Sequence, residues 1–287
     1  GGVVNGADGN PLSLEDGPDA LAKAVIASGG GTLDLTAISR TERVWFERTR
    51  SSLESRCGID AFNELIPLMP TVSHTIGGIP INALGQVIDS DSNAVSGLYA
   101  AGDAACSGLH GASANSGDRV LAAISEGASA GASAANHASN TKYSGSSAIS
   151  TAYSEAQHMH DQILASAGTE GASPGNILST LSMTMKTHMG SNRNAEGLQA
   201  AAEKIAELRT TSLSITDSST VMNTELVSFR RVGGLLDIAE ASVSAALART
   251  ESRGSHTRSD FPDSDDAQRH HSLVMLGGQV SSQPLRN

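Results

Sequence analysis

A chain of 287 residues has room for one large domain or two ordinary ones, and 39% hydrophobic with 17% charged residues marks it as globular rather than disordered. Its net charge of −11 excludes nucleic acid as a partner, because phosphate binding requires a basic surface. Aromatic residues are only 3%, with Ala, Gly and Ser in their place, so the core must rely on close packing more than on large buried rings.

Residues 1–85 carry a mixed α/β pattern. A short amphipathic helix is expected over 18–28, with Pro18 at a first helical position and Gly29, Gly30 and Gly31 ending it. A short strand follows over 32–35. A second helix is expected over 41–57, with Val44, Phe46 and Leu53 in an irregular apolar face. Segment 79–101 alternates like a hairpin, with Gly and Asn supplying the turns. Its last apolar residues, Leu98-Tyr-Ala-Ala101, run as a strand directly into Gly102 and Asp103. A helix of small residues is expected over 117–137, and the Ser/Asn/Gly-rich stretch 139–148 is the clearest domain boundary. Beyond it, helices over 151–167, 176–188, 196–209 and 223–251 imply a bundle. The third of them aligns Leu198, Ala202, Ile205 and Leu208 behind an Asn194 N-cap; the fourth aligns Leu235, Ile238, Ala239, Val243 and Leu247. Residues 252–287 read as a polar, irregular tail. There is no internal repeat and no coiled-coil heptad.

Cys57 and Cys106 are too few and too unpatterned for a disulfide framework or a zinc site, and imply a reducing compartment. No apolar run reaches the roughly 18 residues that would span a bilayer. No charged n-region precedes an apolar h-region, so no export signal is visible. The opening Gly1-Gly2 suggests a processed or truncated piece. His158 and His160, two apart on a helix, diverge and are expected on a solvated face, and His270-His271 lacks ligand partners.

The strand–Gly–Asp–helix unit at 98–137 has a physical logic for a nucleotide cofactor. A strand ending in Gly102-Asp103 places a carboxylate at a sheet edge, where it can accept hydrogen bonds from ribityl or ribose hydroxyls. The helix that follows offers unpaired N–H groups and the positive end of its dipole. An ordinary α/β turn with an exposed Asp fits the same spacing, and lone glycine-rich motifs are weak signals.

Longer segments add specificity. They are Pro70-Thr-Val-Ser-His-Thr-Ile-Gly-Gly-Ile79, Gly97-Leu-Tyr-Ala-Ala-Gly-Asp103, and His110-Gly-Ala-Ser-Ala-Asn-Ser-Gly-Asp-Arg-Val-Leu121. Further on come Met185-Lys-Thr-His-Met-Gly-Ser-Asn-Arg193 and the run from Ala248 to Asp266 that contains Ser252-Arg-Gly-Ser-His256. Together they resemble the flavoprotein subunits of the succinate dehydrogenase/fumarate reductase family. The resemblance covers almost the whole chain but only the C-terminal half of a family member. It implies an α/β plus all-α fold: part of a capping domain (1–72), the C-terminal part of a Rossmann-like FAD-binding domain (73–138), a helical bundle (149–252) and an irregular tail (253–287).

It further implies FAD as cofactor, with the histidine that carries it covalently not in this chain. Catalytic roles would fall to Ser73, His74 and Thr75, and cofactor contacts to Gly77, Gly78, Gly102, Asp103, Gly117, Arg119 and Val120. The implied partners are the missing N-terminal FAD-binding half (from the same gene or a second chain), an iron–sulfur subunit and a dicarboxylate substrate. Location would be cytoplasmic and peripheral on the inner face of a membrane, reached only through partner subunits.

Several positions depart from the family pattern. Pro18 aligns with a proton-delivering Arg of the capping domain, Ser73 with a substrate-binding His, and Ala114 with a substrate-binding Arg. His74 lies one position after Ser73, a placement with precedent in soluble fumarate reductases that have adjacent histidines. Arg119 stands where a FAD-contacting Ser is expected, and should face the flavin or a neighbouring carboxylate such as Asp118. A dicarboxylate stripped of water without cationic partners costs several kcal/mol per charge, which an Arg fork normally offsets. Three outcomes are therefore open: a succinate- or fumarate-converting subunit, a relative with an altered substrate pocket, or a structural remnant. Arg253, His256 and Arg258 with Asp260, Asp265 and Asp266 are expected to form a buried or interface polar network.

Overall fold

The computed structural model describes residues 2–13, 17–72, 74–110, 117–142 and 145–285. The chain divides into two units, Gly1–Ser73 and His74–Asn287.

In the first unit, β1 (Val3–Gly6), β2 (Gly31–Asp34) and β3 (Ile66–Leu68) form an antiparallel sheet in that order, with Val4 opposite Leu33 and Leu33 opposite Ile66. Helix α1 (Gly17–Ala27) lies between the first two strands in sequence, and the Gly29–Gly30 pair that ends it has positive φ, as the tight return into β2 requires. Helix α2 (Arg43–Cys57) ends at Gly58, whose left-handed backbone returns its N–H to the Glu54 carbonyl. Phe46 and Leu53 of α2 pack against a core of Leu35, Ile38, Ala61, Phe62 and Ile66, whereas Val44 is exposed.

The second unit begins at β4 (Ile79–Pro80). The alternating stretch forms a hairpin from β5 (Gln86–Ile88) and β6 (Ala94–Tyr99), closed by an Asp89–Asn93 turn with Ser92 at φ 67°. Its first residues do not extend that hairpin. Ile79 and Pro80 instead pair in parallel with β7 (Ala105–Cys106), because the chain turns back at Asn82–Gly85 through the Asn82 side chain. Helix α3 (Asp118–Asn140) approaches the hairpin through small residues: a Cβ on Gly85 would lie 2.5 Å from the Ala130 Cβ. This is the close packing that the scarcity of aromatics predicted.

Helix α3 runs to Asn140 and α4 (Ser146–Ala165) starts at Ser146, so the break between them is shorter than the 139–148 linker expected from composition. Helices α5 (Pro174–His188), α6 (Ala195–Thr210) and α7 (Thr224–Ala248) form the bundle. Their N-termini are set by Ser173, Asn194 and Asn223, each accepting a backbone N–H with its side chain. Ile177, Leu181, Ala201, Ile205, Leu208, Val232, Leu236, Ala239 and Val243 make its core. On α7 the buried stripe is Val232, Leu236, Ala239, Val243 and Ala246, at alternating spacings of four and three. Leu235 and Ile238, expected inside, are exposed. Helix α7 is apolar around much of its girth, so periodicity alone chose the wrong neighbours.

The tail is more ordered than its composition suggested. Strands β8 (His270–Val274) and β9 (Val280–Pro284) pair antiparallel from His270 opposite Pro284 to Val274 opposite Val280. Gly277 and Gly278, both at positive φ, make the turn.

Candidate functional site

Strand β6 passes through Ala100 and Ala101 into a 3-10 turn at Gly102–Ala104, and β7 follows at once. Beside β7 runs β4, preceded by Gly77 and Gly78 at φ 133° and 150°. A Cβ on Gly78 would lie 2.6 Å from the Ala104 carbonyl oxygen, so only glycine allows these two backbones to meet. At Gly77 a Cβ would meet nothing within 4 Å: the glycine edge is open on that side.

Two of the sequence-derived site residues, Asp103 and Arg119, meet here. Arg119, in the first turn of α3, grips the Asp103 carboxylate with both arms of its guanidinium: Nε donates to Oδ1 at 2.8 Å and Nη2 donates to Oδ2. The hydrogen bonds and then the charge of Arg119 hold the Asp103 carboxyl below its ordinary range. Both partners of the ion pair are half-exposed, so water screens it and its main effect is orientation. Arg119 was expected to face the flavin or a neighbouring carboxylate such as Asp118; the carboxylate it holds is Asp103. Asp118 instead lies 3.6 Å from His110 Nδ1.

Thr75 and Val120 are exposed near these elements, and Gly117 is the left-handed N-cap of α3. Ser73 and Ala114, two of the departures from the family pattern, lie outside the described residues. Pro18 is in α1 of the first unit. Glu126, which sequence reasoning passed over, accepts the Gly102 N–H at 2.9 Å from the third turn of α3. A lone acid in an Ala/Ser-rich helix reads as solvent-facing. The available signal was its spacing of seven from Arg119, two helical turns along one face.

A second polar cluster closes the C-terminal end of α7. Glu251 is fully buried and accepts Arg249 Nη1 at 2.6 Å, Arg253 Nη2 at 2.9 Å and the Asp265 N–H at 2.8 Å. Burial alone would raise its pKa, but these hydrogen bonds outweigh burial and hold it at about 2. Arg258, 1% exposed, forks onto Asp260 and donates to the Ala246 carbonyl, capping α7. His256 takes a hydrogen bond from Arg193 Nη1 at 3.0 Å; burial first and the Arg193 charge next push its pKa down to about 4, so the ring is neutral. Arg249 also donates to the carbonyls of Gln268 and His270, tying β8 to the bundle. The expected network is thus present, with Glu251 as its unpredicted centre and Asp266 at its exposed margin. His160 accepts from Arg230, and no cluster able to hold a metal ion occurs among the described residues. None of the helices described is long and apolar enough to cross a membrane.

Comparison with known proteins shows the family to which the chain belongs. Residues 179–285 match the family described as fumarate reductase flavoprotein C-term, and residues 13–120 match the FAD binding domain family. The chain is 36% identical over 218 residues to the succinate dehydrogenase flavoprotein subunit of Rickettsia bellii, covering 73% of this chain and 36% of the relative. It belongs to the succinate dehydrogenase/fumarate reductase flavoprotein family. The fumarate reductase flavoprotein subunit of Mycobacterium tuberculosis is 34% identical over 214 residues, with 72% of this chain and 36% of that one covered. The chain therefore spans 36% of the length of these curated relatives. A solved chain of E. coli quinol fumarate reductase superposes with a TM-score of 0.83 at 24% identity, over 99% of this chain and 54% of that one. At that identity the likeness establishes the fold: an α/β FAD-binding region followed by helices. The family is one of flavoprotein oxidoreductases.

Proposed function

We propose that this chain is the C-terminal part of a flavoprotein subunit that oxidises succinate to fumarate or runs the reverse reaction with FAD, passing electrons to an iron–sulfur partner. The observation that carries it is the Arg119–Asp103 fork at the glycine edge between β4 and β7. That edge suits a flavin. Gly77 leaves open space, Gly78 lets β4 close against the Ala104 carbonyl and Gly102 lets α3 close against the turn, and the Asp103 carboxylate keeps lone pairs beyond those used by Arg119. Gly77, Gly78, Gly102 and Asp103 would hold the cofactor with the start of α3, where Gly117, Arg119 and Val120 lie. Bound there, FAD would supply the two-electron chemistry that interconverts a saturated and an unsaturated dicarboxylate. His74 would donate to a substrate carboxylate, with Thr75 and Ser73 beside it in sequence. The residue for covalent flavin attachment would lie in the preceding part of the subunit.

That preceding part is also the partner that the exposed face of α3 fits. Val120, Leu121 and Ile124 are 65%, 69% and 67% exposed, one contiguous apolar stretch beside the proposed flavin edge. The solved relative is longer than this chain by the other 46% of its length, enough for a domain that covers this face. Electrons would leave through an iron–sulfur subunit, and any contact with a membrane, at its cytoplasmic face, would run through partner subunits.

A second possibility has its own support: a family member with an altered substrate or no catalysis. Pro18, Ser73 and Ala114 supply none of the cations or donors of the family pattern, and Arg119 is engaged by Asp103. The test is succinate:dye reduction by the protein carrying its preceding half and FAD. Turnover comparable with other family members supports the first proposal. Flavin retained without succinate or fumarate turnover supports the second, and absence of bound flavin overturns both.

A further inference from the structure

Arg119, Ala123 and Glu126 stand at i, i+4 and i+7 of α3 and so share one helical face. All three meet the same two residues. Arg119 forks onto the Asp103 carboxylate, and Glu126 Oε2 accepts the Gly102 N–H at 2.9 Å. Between them, a Cβ on Gly102 would lie 3.2 Å from the Ala123 Cβ, so the helix sits directly against the turn. Gly102 itself is at φ 65°, and the residue before the turn, Ala101, offers no side-chain cap. The first N–H of this 3-10 turn therefore takes its acceptor from another element, 24 residues away in sequence. Apolar burial does not hold this end of α3, since Val120, Leu121 and Ile124 are exposed. Polar contacts hold it instead.

We propose that Glu126 is a positioning residue of the flavin site, acting with Arg119 as a two-point clamp: one charge fixes the backbone of the Gly102–Asp103 turn and the other fixes the Asp103 side chain. The inference rests on the flavin site proposed above and goes further by assigning a role to a residue that would not itself touch the cofactor. The arrangement has a mechanical logic. A carboxylate held only by Arg119 could swing with its turn, and a turn held only by Glu126 would leave the carboxylate free to rotate. With both contacts, Asp103 has one orientation before a hydroxyl of the ligand arrives, which lowers the ordering cost of binding.

The test compares wild type with E126A and E126Q by three readouts. Two need no flavin: exchange of the Gly102 amide and the NMR titration of the Asp103 carboxyl in the 287-residue chain. The third is FAD affinity in the protein that carries its preceding half. In E126A, Gly102 exchange should accelerate at least about tenfold, as loss of a hydrogen bond to a charged acceptor implies. Loosening of the Arg119 fork should move the Asp103 titration up, opposite to the downward shift that loss of the Glu126 charge alone would give, and FAD affinity should fall about tenfold, on the scale of a charged hydrogen bond. E126Q keeps an acceptor and should restore most of each. Unchanged Gly102 exchange and Asp103 titration in E126A would overturn the clamp. A clamp lost by both flavin-free readouts with FAD affinity unchanged would overturn its positioning role. Wild-type protein that retains no flavin overturns the flavin site, and that failure is separate because the flavin-free readouts still report the clamp.

Discussion

Helices α3 and α7 are of similar length, 23 and 25 residues, yet they are held in opposite ways. Helix α7 buries a regular stripe from Val232 to Ala246 against α5 and α6, and a buried Glu251–arginine cluster then fixes its end. Helix α3 buries only Ala130, meets the β5–β6 hairpin through a Tyr99–His137 ring contact among small residues, and leaves Val120, Leu121 and Ile124 in water. The bundle has the larger buried core. The site-bearing region leaves an apolar face in water, and its polar contacts orient a turn more than they stabilise a fold. The chemistry proposed for this family member sits on the less self-sufficient of the two regions.

Substitutions can break or sharpen that contrast. The largest loss is expected for Glu251→Ala, which leaves Arg249 and Arg253 without their buried carboxylate and should cost about 3–5 kcal/mol in urea unfolding. The same cluster makes stability fall in acid. His256, its folded pKa depressed to about 4, contributes stability that is full above the ordinary histidine value of 6.5 and is lost as pH falls toward 4. Glu251, also depressed, contributes stability that is lost from the ordinary value of 4.5 down to about 2. His256→Gln should flatten the upper part of that profile and leave the lower part, and an unchanged profile would remove His256 from the account.

Leu236→Ala, inside the bundle, should cost about 2–5 kcal/mol through lost burial and a residual cavity. Gly78→Ala should cost about 1–3 kcal/mol, because its positive φ and the Ala104 carbonyl both exclude a side chain; flavin retention should fall with it if the glycine edge is the cofactor edge. The smallest effect is expected for Leu121→Ala, within about 0.5 kcal/mol in this chain, since the residue is already in water. A loss at Leu121 as large as that at Leu236 would mean that the α3 face is covered in solution, and the contrast between the two helices would collapse.

Much of this was legible in the sequence, for reasons that differ by region. The bundle helices follow from caps and periodicity: Asn194 accepts the Gly197 N–H, and Leu198, Ile205 and Leu208 are buried as their spacing requires. Helix α7 misled because apolar residues surround it, so Leu235 and Ile238 matched the period as well as the buried Leu236 and Val243 did. The tail hairpin was hidden because β8 and β9 are mostly polar, and only the Gly277–Gly278 turn marked it. At the candidate site, Gly102 and Asp103 stood out as a motif. Their partners did not, because Arg119 and Glu126 reach them across 16 and 24 residues of sequence. A carboxylate partner for Arg119 was expected, with Asp118 as the example; the one it holds is Asp103, supplied by the fold.

The central claim is that the edge built by Gly77, Gly78, Gly102 and Asp103 holds a flavin once the preceding half of the subunit is present. The direct measurement is the visible absorption spectrum of that longer protein after FAD addition and gel filtration. Flavin bands that elute with the protein, and that diminish in Gly78→Ala, are the predicted result. A colourless protein peak would contradict it.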